Sequence, residues 1–125
     1  MSIKCTVTVI PRNSQSRTEI YNLQERCGKR AAEMFDKDFP RNERKGLEIF
    51  ENHYNVRLNK CFLLEENTMM TRDQGKTYST KLLTLIDVNA NKVYGSFSPL
   101  NCDLLETKCR SEEEFRALMR PYLQD

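Results

Sequence analysis

The sequence predicts an α+β fold: a single two-layer domain in which an antiparallel sheet of about four strands carries an N-terminal and a C-terminal helix on one face. Three observations lead there. Two Ser-x-x-Glu capping boxes, Ser16 to Glu19 and Ser111 to Glu114, each open a stretch of helical periodicity near one end of the chain. Between them, β-branched and aromatic residues are punctuated by asparagine, aspartate and glycine, the residues of turns. The length, 125 residues, suits one domain with one core.

The elements follow in order. "KCTVTVI" makes 3–10 a candidate edge strand within an N-terminal extension over 1–16, ended by Pro11 and the loop "RNSQS". A helix over 17–36 places Ile20, Leu23, Cys27, Ala31, Met34 and Phe35 on one face, with Glu25, Lys29, Arg30 and Lys37 mostly elsewhere. Pro40 is its outer limit, and "RNERKG" is a loop. Strands are expected over 47–54 and 59–66, joined through 55–58. A loop centred on Asp73 and Gly75 is expected over 71–76, then strands over 77–88 and 92–98. The "NAN" between the last two supplies asparagines that tolerate the left-handed conformation of a hairpin turn. After Pro99 and a loop bracketed by Cys102 and Cys109, the second capping box opens a helix with Phe115, Leu118, Met119 and Tyr122 at i, i+3, i+4 and i+7. Pro121 removes an amide from its last turn and should keep it short. The α+β domain is therefore expected over 17–125.

Composition limits the chemistry. The hydrophobic fraction of 38%, the charged fraction of 30% and a mean hydropathy of -0.70 describe a lean core with long solvated faces. Twenty basic residues against 18 acidic ones are well mixed, and the basic runs at Lys29-Arg30 and in "RNERK" have acidic neighbours. Binding to nucleic acid calls for concentrated positive charge, so no nucleic-acid partner is expected. No apolar run is long enough to span a membrane as a helix. "MSIKCTVTVI" is too short and polar for the core of a signal peptide. The chain is thus either cytoplasmic or separated from a leader it once carried.

Five cysteines, Cys5, Cys27, Cys61, Cys102 and Cys109, contain no C-x-x-C, so neither the dithiol redox motif nor a zinc knuckle is present. Spacing favours two bridges. Cys102 and Cys109 can close the short "DLLETK" loop, and Cys27 on a helix can pin Cys61 on a strand, which leaves Cys5 free. The other reading keeps all five reduced, with Cys27 and Cys61 as small buried apolar residues.

"DVNANKVYGSFS" begins like a calcium loop, with Asp87, Asn89 and Asn91 at positions 1, 3 and 5. Lys92 and Ser98 then stand where glycine and a bidentate glutamate are required. A hairpin turn is the better reading, and no metal or cofactor is expected. Glu112 to Glu114 belong to a helix start, where the dipole favours them. Glu65 and Glu66 should end a strand and face solvent. Cys61 and His53, the chain's one histidine, fall on strands expected to be neighbours and could form a nucleophile–base pair, although no glycine-rich oxyanion turn accompanies them. Phe50, Tyr54, Tyr78, Tyr94 and Phe97 suit cross-strand pairs in the core. Any that faced outward would mark a protein-binding face.

"HYNVRLNKCF" (53–62), "DVNANKVYGSF" (87–97), Cys102, Cys109 and "EEEFRALMRPYL" together resemble a group of uncharacterised small exported bacterial proteins built around an H-Y-N-x-x-L-N-K-C-F segment. The resemblance covers the chain from about Cys27 onward and brings no activity with it. It implies a periplasmic or secreted setting with paired cysteines. The N-terminus departs from it, since no signal peptide precedes Cys27 and Cys5 has no evident partner.

Two functions remain as expectations. The first is a non-catalytic binding module of the bacterial cell envelope that recognises another protein, with His53, Tyr54 and Arg57 as its candidate binding face. The second is a thiol-dependent enzyme using Cys61 with His53.

Overall fold

The computed structural model describes residues 16–124; the candidate edge strand over 3–10 lies outside them. Helix α1 (Arg17–Asp38) starts where expected, with Ser16 Oγ accepting from the Glu19 amide at 3.1 Å. Its buried stripe is Cys27, Ala31 and Phe35, one residue per turn. A 3-10 turn (Arg41–Glu43) leads to six antiparallel strands: β1 (Glu48–Asn55), β2 (Lys60–Asp73), β3 (Lys76–Asp87), β4 (Lys92–Ser98), β5 (Asn101–Leu104) and β6 (Thr107–Lys108). They form a simple meander in which each strand pairs with the next. Helix α2 (Glu112–Leu123) closes the chain, with Ser111 Oγ accepting from the Glu114 amide at 3.1 Å.

The class is the expected one, an antiparallel sheet carrying both terminal helices, but the helices occupy opposite faces. Alternation along β2 decides it. Phe62 and Leu64 point to one side and pack with Leu83, Leu85, Leu104 and the α2 residues Phe115 and Met119. Cys61 and Leu63 point to the other and pack with Ile86, Val88 and the α1 residues Cys27 and Ala31. Residues 61–65 are all buried, as befits a strand covered on both faces, where the apolar run is continuous and not alternating. Three layers therefore meet at β2 and β3.

The sheet also departs from expectation around 71–76. No loop stands there. β2 and β3 continue as one long hairpin closed by Gln74 and Gly75, whose φ values of 51° and 78° are those of a two-residue primed turn. Thr71, Thr77, Tyr78 and Thr80 favour extended backbone, and a turn this tight leaves the flanking residues free to pair. Asn91 of the "NAN" behaves as expected at φ 51°, whereas Asn59, expected to begin a strand, stands in the turn before it at φ 54°.

The cysteine-bracketed loop is a small hairpin, β5 turning into β6, closed where Cys109 N donates to Cys102 O at 3.0 Å. Pro121 does not shorten α2, which runs on to Leu123. Between Leu85 and Ile86 the register with β4 shifts, so that Leu85 faces Gly95 and Ile86 faces Val93. The extra residue, Tyr94, turns to the α2 side. There its ring meets those of Phe62 and Tyr122 at centroid distances of 5.3 and 5.6 Å, edge-on.

Candidate functional site

The polar segment at the end of β1 and start of β2 is built from the inside out. Asn55 is wholly buried; its Nδ2 donates to the carbonyls of Pro121 and Tyr122 at 2.9 and 3.2 Å, and its Oδ1 accepts from Leu58 N at 2.8 Å. One side chain thus ties the connection after β1 to the last turn of α2, where carbonyls lack intrahelical partners. Arg57 adds a contact from Nη2 to Pro121 O at 3.4 Å. Asn89 Oδ1 accepts from Cys61 N at 2.9 Å, and Tyr54 bonds Asn59 through its hydroxyl.

Asp87 lies buried on the α2 side, accepting from Lys60 Nζ at 2.8 Å and from Ala90 N at 3.1 Å. Its bond to Asp87 raises the Lys60 pKa. The side-chain oxygens of Asp87 and Asn89, the first and third positions of the calcium-like segment, are thus engaged by Lys60, Ala90 and Cys61. Among the described residues no group of three or more histidine, cysteine or acidic side chains is placed to hold a metal.

The three residues of the candidate binding face do not share a face. Tyr54, 5% exposed, points to the α1 side opposite Cys61. His53 is half-buried opposite Phe62 and lines a shallow groove between β1 and α2 with Glu51, Arg116 and Arg120. Arg57 is exposed in the turn. All three have partners within the chain.

Cys61 and His53 are not brought together either. Cys61 is bonded to Cys27, with Cα atoms 5.4 Å apart, and its sulfur lies on the face away from His53. Cys102 is likewise bonded to Cys109, with Cα atoms 5.0 Å apart. Both pairings are those that spacing favoured. With Cys61 oxidised, the thiolate required of a nucleophile is absent.

Glu65 and Glu66 do not face solvent. They lie within β2 and turn to opposite faces. Glu66 is half-buried on the α2 side, bonded to Arg116 Nη2 at 2.6 Å, while Arg116 Nε reaches Glu112 at 2.8 Å and Lys81 joins both acids at 3.7 and 3.4 Å. This four-residue network fastens α2 to β2 and β3. The neighbouring guanidinium of Arg116 holds Glu112 below the usual carboxylate range. Glu65 lies on the α1 side, 7% exposed, and burial pushes its carboxyl up to about 8.

One surface was missed entirely. Beyond Asn67 the strand β1 no longer pairs with β2, and β4 pairs with β3 only from Leu83 onward. Residues 69–80 therefore project as a two-stranded ribbon with no neighbouring strand on either side among the described residues. Met69, Met70 and Tyr78 are 49%, 56% and 51% exposed. Met69 and Tyr78 are diagonal neighbours on one face, Met70 lies on the other, and Arg72, Asp73 and Lys76 surround the tip. The expected second strand ends at Glu66 and the expected loop over 71–76 rests on Asp73 and Gly75, so Met69 and Met70 fall outside any expected strand, although Tyr78 falls within one.

The chain matches no protein-family model, no curated protein and no solved structure.

Proposed function

We propose that this chain is a non-catalytic module that binds a partner protein in an oxidising compartment outside the bacterial cytoplasm, using the ribbon over 69–80 as its docking surface. The ribbon carries the reading. An isolated two-stranded hairpin is marginal in water, and unpaired strand edges invite a further strand. The occupant we assign is an extended segment of another protein, added along Lys76 to Leu82 in line with β4. Main-chain bonds supply the affinity, and Tyr78 and the methionines supply apolar contact. The paired cysteines support the compartment, since such bonds persist where thiols are oxidised.

The test uses the direction of the backbone amides. Val88 N donates to Cys61 O, so alternate residues of β3 bond to β2, and those between, including Ser79, direct their amides outward. Ser79→Pro removes an outward donor and leaves the hairpin bonds in place. A photo-crosslinker at Tyr78, in cells that make the protein, is expected to give a discrete protein adduct that Ser79→Pro abolishes with the melting temperature nearly unchanged. A crosslinker at Val93, 56% exposed and opposite Ile86 at the far end of β3 from the ribbon, serves as control. Equal adducts from both positions, or an adduct indifferent to Ser79→Pro, would overturn the proposal.

A further inference from the structure

The strongest unexplained group is Glu65. It sits on the α1 side of β2, directly between Phe50 of β1 and Thr84 of β3, and its Oε2 is sealed from solvent with no hydrogen-bond partner. A buried carboxylate oxygen without a donor is strongly disfavoured, and a neutral carboxylic acid in the same place costs far less. From α1 the side chain that reaches it is another acid, Asp38, the last residue of the helix. We propose that Glu65 and Asp38 form a proton-sharing carboxyl pair that latches the C-terminal turn of α1 onto the sheet and releases it when the proton is lost.

Among the described residues no cation is placed to replace that proton. On α1, Asp36 is engaged by Arg41 and Arg44, and the Arg44 guanidinium lies 4.5 Å over Phe35, on a ring that itself meets Phe50 at 4.5 Å. Lys37 is exposed on the helix and lines, with Asp38, a depression beside Val88. From β1, the Glu48 carboxylate accepts from the amides of Lys45 and Leu47 at 3.2 and 3.1 Å. Glu66 faces the other side of the sheet with Arg116 and Lys81. β3 presents only Thr84 opposite Glu65. The helix adds its own bias, since its C-terminal end is the negative end of the dipole and disfavours a second anion there.

Ionising Glu65 would therefore set two carboxylates against each other at the negative end of a helix. The outcome differs along α1. The Cys27–Cys61 bond holds the middle of the helix to β2 whatever the charge, so release is confined to the turns beyond it, with Phe35, Phe39 and the segment that Arg44 Nε ties to Phe39 O at 2.7 Å.

The sign of the linkage follows. Burial first, and Asp38 second, raise the folded carboxyl to about 8 from an ordinary 4.5. The stabilising contribution is whole below the unfolded value, diminishes as pH rises above it, and is lost by the time pH has passed through the folded value.

The decisive measurement is hydrogen exchange of the Phe35 to Phe39 amides between about pH 6 and about pH 9, corrected for intrinsic rates, beside amides around Cys27. In the full chain, protection at 35–39 is expected to fall about tenfold or more while the amides near Cys27 hold. Glu65→Gln, neutral at every pH, is expected to abolish the pH dependence. Carboxyl NMR of the unsubstituted protein, which needs no variant, should show Glu65 titrating near 8. An ordinary carboxylate titration for Glu65, or an unaltered pH dependence in Glu65→Gln, would overturn the latch. So would a rise in protection on adding calcium at alkaline pH, which would make the pair a cation site instead.

Discussion

Asn55 shows how one side chain can hold two distant pieces of chain together. Its amide donates to α2 carbonyls and its oxygen holds the turn that follows β1, so removing it leaves several buried groups without partners at once. Asn55→Ala is expected to destabilise the protein by ~1–3 kcal/mol through unsatisfied polar groups, measured as a lower midpoint in urea. It should also raise hydrogen exchange in the last turn of α2 more than elsewhere. Gly95 is constrained by backbone and not by side chains. A Cβ there would lie 2.5 Å from Asp103 O and 2.7 Å from Leu104 Cα, atoms fixed by the β4–β5 ladder. Gly95→Ala should therefore cost ~1–3 kcal/mol by forcing these strands apart.

At the scale of elements, the two helices are fastened differently. α2 is held by apolar contacts through Phe115 and Met119, by the Glu66–Arg116–Glu112–Lys81 network and by Asn55 at its end. α1 has a thinner apolar stripe, a covalent bond at its middle and an acid pair at its end. That asymmetry makes α1 the element whose end responds to alkaline pH, whereas the Glu112 contact of α2 is lost only on acidification. The ribbon is the third kind of element. It keeps its pairing through cross-strand bonds and a primed turn alone, with no core beneath its tip, so it is the part most open to a further strand.

At the scale of the molecule, a hydrophobic fraction of 38% must serve two sheet faces, which leaves each core cluster small. Covalent bonds offset that shortage. The Cys27–Cys61 bond spans 34 positions and joins layers; Cys102–Cys109 spans 7 and closes one hairpin. Each is expected to contribute ~2–4 kcal/mol, the longer loop more. Reduction should accordingly lower the melting temperature by roughly 10 °C or more. Alkylation of the unreduced, denatured protein, followed by intact mass, should label a single cysteine, Cys5. Five labels would remove the basis for the compartment and return attention to the free thiols.

What the residues determined unaided was local. Capping boxes place both helix starts because their side chains bond amides within one turn, and asparagines mark the tight turns because few other residues accept a positive φ. The cysteine pairs were legible because one was close in sequence and the other joined a helix to a strand. Layering was not legible. The run "CFLLEE" fits a strand buried on both faces, but only its packing assigns Phe62 to α2 and Cys61 to α1. The candidate face is divided for the same reason: His53 and Tyr54 are adjacent in sequence, and the two-residue period of a strand sends them to opposite sides. Glu65 reads as a solvent-facing acid until α1 covers it. Tertiary contact decides these because burial, and with it the protonation state of a carboxyl, depends on what lies above a side chain, which one strand's residues do not encode.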